Sequence, residues 1–309
     1  MRHRLDRTLL QWLALGKRFA HGDTVRMRLG RGHLIPFFVL WGVLLTVFTG
    51  WMSVPVWAAE VMPPRVALSE PQVTRPVDGE TLFRQAFMAL QTGDFASADR
   101  YWTEAIEQFP DNPAAWSNRG NIRVAQNQLT EAIADYNRAI ELAPDEPAPY
   151  LNRGIALAGL GQWQAAIANY NQVLTLNAQD ADAYNNRGNA YAGLGDWPAA
   201  IADYQQAISL RPTDATAQTN YALALYQTEQ AAEALQRLRQ IVRKYPNFAD
   251  ARAALTAILW QQGQRGEAES NWVAVVGLDS RYQDLQWVRT IRRWPPALVA
   301  ALKQFLQVQ

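Results

Sequence analysis

Residues 181–214 read ADAYNNRGNAYAGLGDWPAAIADYQQAISLRPTD, and the 34 residues before them, 147–180, read PAPYLNRGIALAGLGQWQAAIANYNQVLTLNAQD. The two blocks agree at 18 of 34 positions, more than two arbitrary helical sequences share. Asn-Arg-Gly recurs at 118–120, 152–154 and 186–188, and tyrosine at 136, 170 and 204, so the period is 34. Carried outward without insertion or deletion, the frame gives six blocks: 79–112, 113–146, 147–180, 181–214, 215–248 and 249–282. A period of this length signals a stacked repeat architecture, in which one unit cannot bury its own apolar face and neighbours supply the missing cover.

The positions within a block have physical roles. Ala98, Ala132, Ala166, Ala200, Ala234 and Ala268 fall at position 20, and Ala86, Gly120, Gly154, Gly188 and Ala222 at position 8. Small residues there allow two helices of a block to approach closely, while aromatics at positions 4, 17 and 24 are expected to fill the space between neighbouring blocks. Trp102, Trp116, Trp163, Trp197 and Trp272 read as core on this pattern and not as a ligand cage. Pro110, Pro144, Pro212 and Pro246 at position 32 are expected to stop the second helix.

Each block resembles a tetratricopeptide repeat (TPR). The family pattern at positions 4, 7, 8, 11, 20, 24, 27 and 32 reads Trp116, Arg119, Gly120, Arg123, Ala132, Tyr136, Ala139 and Pro144 in the second block. In the fourth it reads Tyr184, Arg187, Gly188, Tyr191, Ala200, Tyr204, Ala207 and Pro212. The resemblance implies an all-α chain: a right-handed superhelix of six helix pairs with C-terminal capping helices, preceded by an N-terminal transmembrane or signal helix. Departures are visible: Ala178 replaces the closing proline of the third block, and the last two blocks lose Asn-Arg-Gly, with Gln218, Tyr221 and Arg252 at positions 4, 7 and 4. Position 7 holds Arg119, Arg153 and Arg187, opposite Asp135, Asn169 and Asp203 at position 23. An arginine ladder that fixes packing is the reading preferred over ligand binding.

Working outward, the ends differ from the body. The first 33 residues hold eight Lys/Arg against two Asp/Glu, and residues 34–59 hold no charge. With a total of +1, the rest of the chain carries −5. The uncharged 26 residues suffice to span a bilayer, and Arg26, Arg28 and Arg31 before them hold that end in the cytoplasm, so the repeats are expected on the far side of the membrane. Two readings stay open: a signal peptide cut after Ala58, with Met27 as a compact start, or a retained anchor with Trp41, Trp51 and Trp57 at the interfaces. Residues 60–78 carry four prolines and read as a semi-rigid spacer.

Composition excludes much chemistry. The chain has no cysteine, and His3, His21 and His33 all precede residue 34, so the body lacks thiol nucleophiles, imidazole acid/base groups and the usual metal ligands. An acidic body also argues against nucleic acid. No cofactor, metal site or catalytic residue is expected. A carboxylate-only hydrolase, glycosidase-like, is the rival, and its candidates are Asp182 and Asp250 at position 2.

First helices line the concave face in this family, and position 6 there is Asn118, Asn152, Asn186 and Asn220, with Asn121 and Asn189 at position 9. An amide can donate to a peptide carbonyl and accept from a peptide N–H, so the row suits the backbone of an extended protein client. It resembles the asparagine ladder of O-GlcNAc transferases. The alternative is that some of these amides bond only to neighbouring helices. The lysines of the chaperone-tail carboxylate clamp are missing.

After Asp279 the period ends. Residues 283–309 read as capping helices: Asp284–Arg293, a break at Pro295-Pro296, and Ala297–Leu306 over the end of the last block. Arg292, Arg293 and Trp294 are candidates for an acidic partner or lipid headgroups, with arginines that cap a helix end as the preferred alternative. The exported part, on the run Trp116 to Glu141 and on residues 252–302, resembles TPR proteins of the thylakoid lumen of cyanobacteria and chloroplasts. That resemblance implies an assembly factor for photosynthetic membrane complexes, in the lumen or periplasm.

Overall fold

The computed structural model describes residues 79–308. The basic head, the uncharged segment 34–59 and residues 60–78, with the anchor, cleavage and spacer readings that rest on them, lie outside the described residues. Among the described residues, no helix is long and apolar enough to cross a membrane.

The described chain is all-α and runs as six helix hairpins. They are Gly79–Gln91 with Phe95–Gln108, Pro113–Ala125 with Leu129–Leu142, Pro147–Gly159 with Trp163–Leu176, Ala181–Leu194 with Trp197–Leu210, Ala215–Gln227 with Ala231–Lys244, and Ala249–Gln261 with Arg265–Leu278. Each pair turns through one residue of positive φ at position 15: Gly93, Asn127, Gly161, Gly195, Glu229 and Gly263. A side chain is strained in that conformation, which is why glycine takes four of the six places. Asp94, Asn112, Asp180, Asp196 and Asp214 cap helix N-termini with their side-chain oxygens.

The second helix ends at position 30 in every pair, including the third, where Ala178 stands at position 32. Proline at 32 therefore follows the stop and does not cause it. Its backbone has another use. The position-4 side chains Trp116 and Gln218 donate to the carbonyls of Pro110 and Pro212 at 2.8 and 2.6 Å, and Arg252 reaches Pro246 in the same way. The three residue types differ in sequence yet share one N–H donor at one place.

Position 24 also differs from expectation. Tyr136, Tyr170 and Tyr204 press on the glycine of their own pair, so that a Cβ added at Gly120, Gly154 or Gly188 would stand 2.5–2.8 Å from the ring. Space between neighbouring pairs is filled from position 17, where Trp163 lies beneath Gly193 and Leu129 beneath Gly159. Trp102 and Trp272 are buried, but Trp116, Trp163 and Trp197 are only half-buried at these seams.

Each first helix packs between its own partner and the second helix of the preceding pair. Successive first helices from pair two onward also touch one another, whereas successive second helices approach less. The stack therefore bends with first helices on the inner side. Beyond pair six the chain makes a 3-10 turn at Ser280–Gln283, a short helical stretch Leu285–Trp287 that widens into a π turn at Val288–Arg292, and a closing helix Pro296–Leu306. The closing helix was expected over the end of the stack. It packs instead on the first helices of pairs six and five, along the inner side. Leu298, Ala301, Leu302 and Phe305 are its buried residues, and Phe305 meets Trp260 and Trp272 edge-on. Ala254 stands at position 6 of pair six, where pairs two to five carry asparagine, and with Ala253 and Ala257 at positions 5 and 9 it makes that inner surface apolar.

Candidate functional site

The inner face carries the asparagine row. Asn152 Nδ2 donates to Asn121 Oδ1 at 3.0 Å, and Asn220 Nδ2 donates to Asn185 Oδ1 and Asn189 Oδ1 at 3.0 and 3.1 Å. The same oxygens of Asn121 and Asn189 accept from Tyr136 Oη at 2.7 Å and Tyr204 Oη at 2.8 Å. Each group of three is thus a closed knot: a tyrosine from position 24, an asparagine from position 9 and the position-6 amide of the next pair. Burial pushes the Tyr136 and Tyr204 phenols up, reinforced by Asp135 and Asp203, and so keeps both hydroxyls as donors.

The knot needs asparagine at position 9, and that residue alternates: Phe87, Asn121, Ile155, Asn189, Leu223. Asn118 follows Phe87 and Asn186 follows Ile155, and neither amide makes a hydrogen bond within the described residues, unlike Asn152 and Asn220. The row expected to act as one ladder is two kinds of residue: Asn152, Asn220, Asn121 and Asn189 tie helices together, while Asn118 and Asn186 are available to a ligand. Asn121 is also buried, at 7 % exposure. The sequence signal for this division is the identity of position 9 one block earlier.

The arginines at position 7 lie on the opposite side, between second helices. Arg119 meets Asp135 through Nε and Nη2 at 3.0 and 2.7 Å and Thr103 through Nη1; Arg187 meets Asp203 at 2.8 and 2.7 Å and Asn171. The hydrogen bonds it donates to Asp203 raise the Arg187 pKa further. Arg153 has only the neutral oxygens of Asn169 and Asn137, at 2.8 and 2.7 Å, and desolvation lowers its pKa. Their aromatic neighbours at position 4, Trp116, Tyr150 and Tyr184, lie 5.0–5.6 Å from the guanidinium carbons. These are packing contacts.

At the C-terminal end, Asp250 is 1 % exposed and accepts from Tyr282 Oη at 2.6 Å, Arg292 Nε at 2.9 Å and Trp294 Nε1 at 3.0 Å, with Arg292 Nη2 on its second oxygen. The reading of Arg292 and Trp294 as partner or lipid contacts is corrected: both face inward, because a buried carboxylate must be satisfied by several donors. Arg293, in the left-handed conformation at φ 56°, points the other way. Its Nη2 reaches Gly159 O at 3.3 Å, and its guanidinium carbon lies 4.7 Å from the Trp163 ring centre. Asp182, the other candidate carboxylate, is held by Arg211 at 2.6 and 3.1 Å. Both acids of the rival hydrolase are therefore engaged as structural ion pairs. Among the described residues no three His, Cys, Asp or Glu side chains gather as metal ligands.

Family profiles described as "TPR repeat" match residues 120–161 and 159–195, and profiles described as "Tetratricopeptide repeat" match 80–112, 101–134, 181–214 and 198–282. Curated protein sequences give no match. Similar folds occur among solved structures. A tetratricopeptide repeat protein from Parabacteroides merdae superposes with a TM-score of 0.57 at 19% identity, over 74% of this chain and 86% of that one. A chain of the APC/C Cut9-Hcn1 hetero-tetramer gives 0.61 at 19%, over 71% and 43%. MamA from Desulfovibrio magneticus RS-1 gives 0.50 at 18%, over 53% and 93%.

Proposed function

Starting from a chain that is a tetratricopeptide-repeat protein across residues 80–282, we propose that its pairs wind as a right-handed superhelix and act as a non-catalytic scaffold holding an extended segment of a partner protein in the inner groove. The observation that carries this is the pair of amides, Asn118 and Asn186, that are unengaged among the described residues, on an inner side whose C-terminal part, over pairs five and six, is covered by the closing helix. Amides two blocks apart match a ligand whose backbone runs along the groove.

The test is one double variant against wild type, with a crosslinking pull-down from membranes and mass spectrometry of the captured client. Asn118→Ala/Asn186→Ala is expected to weaken capture with an unchanged thermal midpoint, each neutral hydrogen bond being worth about 0.5–1.5 kcal/mol. Undiminished capture by this well-folded variant counts against the groove.

The finer reading adds a place. Three arginines ahead of the uncharged segment 34–59 support a body exported to a thylakoid lumen or periplasm, and the resemblance of residues 252–302 supports a role in assembling photosynthetic complexes. Protease should reach residues 79–309 in spheroplasts if the membrane is the plasma membrane, and in thylakoid vesicles only once the lumenal face is exposed. Degradation only when the cytoplasmic face is exposed rejects export.

A further inference from the structure

We propose that the groove carries, where pairs three and four meet, an anion subsite made by Tyr170, Asn186 and Arg293, and that it takes the carboxylate of an Asp or Glu side chain on the bound segment. The proposal rests on the groove reading above and adds the chemistry of the ligand.

The starting point is an acceptor that the repeat pattern calls for and the chain does not provide. In pairs two and four, a tyrosine hydroxyl and the amide of the following pair converge on one asparagine oxygen, at 2.7 and 3.0 Å on Asn121 and at 2.8 and 3.1 Å on Asn189. In pair three the same tyrosine is Tyr170 and the same amide is Asn186, but position 9 between them is Ile155. The ring of Tyr170 is seated on Gly154 as Tyr136 is on Gly120, so the frame is unchanged. Two donors thus face a place where an aliphatic side chain offers nothing. Tyr170 is 1 % exposed and its hydroxyl has no hydrogen-bond partner among the described residues, yet the one fully sealed side-chain polar atom there without a hydrogen bond is Asp99 Oδ1. The Tyr170 hydroxyl is therefore not wholly sealed.

Charge comes from the C-terminal segment. Arg293 Nη2 rests on Gly159 O at 3.3 Å, and Gly159 lies four residues after Ile155 on the same helix, one turn along the same face, about 5–6 Å away. Its other contact is the Trp163 ring, and among the described residues no carboxylate meets it, whereas the neighbouring Arg292 is paired with Asp250. The guanidinium is near enough to Tyr170 to draw its phenol pKa down against the larger upward effect of burial, and desolvation lowers the pKa of Arg293 itself. A main-chain carbonyl would satisfy the two neutral donors but leave this cation without a counter-charge. A carboxylate satisfies all three, one oxygen accepting from Tyr170 Oη and Asn186 Nδ2 and the other facing Arg293.

The test pans random peptides of about nine residues, the extended length that crosses three helix spacings of about 8–10 Å, displayed on phage against the full chain. A selected peptide and its Glu→Gln or Asp→Asn counterpart are then compared by fluorescence anisotropy. The expected result is an acidic residue at one fixed position, and a counterpart that binds about tenfold or more weakly, the usual effect of a charge-assisted hydrogen bond. Ile155→Asn, which supplies the missing acceptor in the manner of Asn121, should bind acid and amide peptides alike. Arg293→Gln should do the same, and it keeps the proposal testable if Ile155→Asn does not fold. An acid preference that survives both variants, or selected peptides without a fixed acid, overturns the subsite and leaves the groove intact. Selection of no peptide overturns both.

Discussion

In pairs two to four the first helix presents asparagine at position 6 and arginine at position 7, and its buried clusters are small, such as Ala132, Tyr136 and Ala156 in one and Leu157, Ala166, Tyr170 and Ala190 in the next. In pairs five and six position 7 becomes Tyr221 and Leu255, position 6 ends in Ala254, and one apolar cluster runs from Ala200 to Phe305. The first helix of pair six is buried from Ala253 through Leu259 without interruption. The same period is thus stabilised in two ways. Where the inner face stays polar, hydrogen-bonded knots and arginine pairs hold the pairs together; where it is apolar, the chain's own C-terminal segment covers it.

The strongest way to break this contrast is at the clamp that holds the cover. Asp250→Ala leaves Arg292 buried without its counter-charge, and loss of one partner of a buried pair costs about 3–5 kcal/mol. Urea unfolding should show the loss, and limited proteolysis should cut first within residues 282–308. Equal protease resistance of variant and wild type would mean that Asp250 does not hold the segment.

Within the polar half, Ala200→Leu should overpack the contact beside Gly188, where the Ala200 carbonyl stands 3.2 Å from an added Cβ, at a cost of about 1–3 kcal/mol. An unchanged urea midpoint would show that the small residues at positions 8 and 20 do not set the helix spacing. Asn152→Ala/Asn220→Ala sharpens the division of the row. Removing both ties should lower stability by about 1.5–4.5 kcal/mol in all, at about 0.5–1.5 kcal/mol for each of the three neutral hydrogen bonds lost, whereas Asn118→Ala/Asn186→Ala should change it by less than about 0.5 kcal/mol. Equal thermal midpoints for the two doubles would erase the distinction.

The smallest effect is a gain. Asn169→Asp would give Arg153 the partner that Arg119 and Arg187 already have, and about 1 kcal/mol of added stability is expected at neutral pH. A carboxylate beside a guanidinium has its folded pKa depressed, so the gain is present above the unfolded carboxylate pKa and is lost as pH falls through the folded value. Denaturation at pH 7 and at low pH reads it; a variant less stable than wild type at pH 7 would mean that Asn169 is preferred for its bond to Ala165 O at 2.8 Å.

Much of this was legible in the residues themselves. The 34-residue period determines the helix pairs, because the contacts within a hairpin are local and recur in register. Glycine at position 15, alanine at 20 and the Arg–Asp spacing of 16 each repeat for the same reason. Even the split in the asparagine row was present as the alternation at position 9, although which oxygen two donors share is a matter of side-chain direction. What only the tertiary structure decided is aperiodic. Arg292 and Trp294 return to Asp250 across 42 and 44 residues, and Arg293 reaches Gly159 across 134. No repeating signal predicts such a return, since its geometry depends on the accumulated bend of the stack and on a π turn that aims successive arginines in opposite directions. The sequence therefore determined how the repeats stack, and the return of the tail decided which first helices it covers.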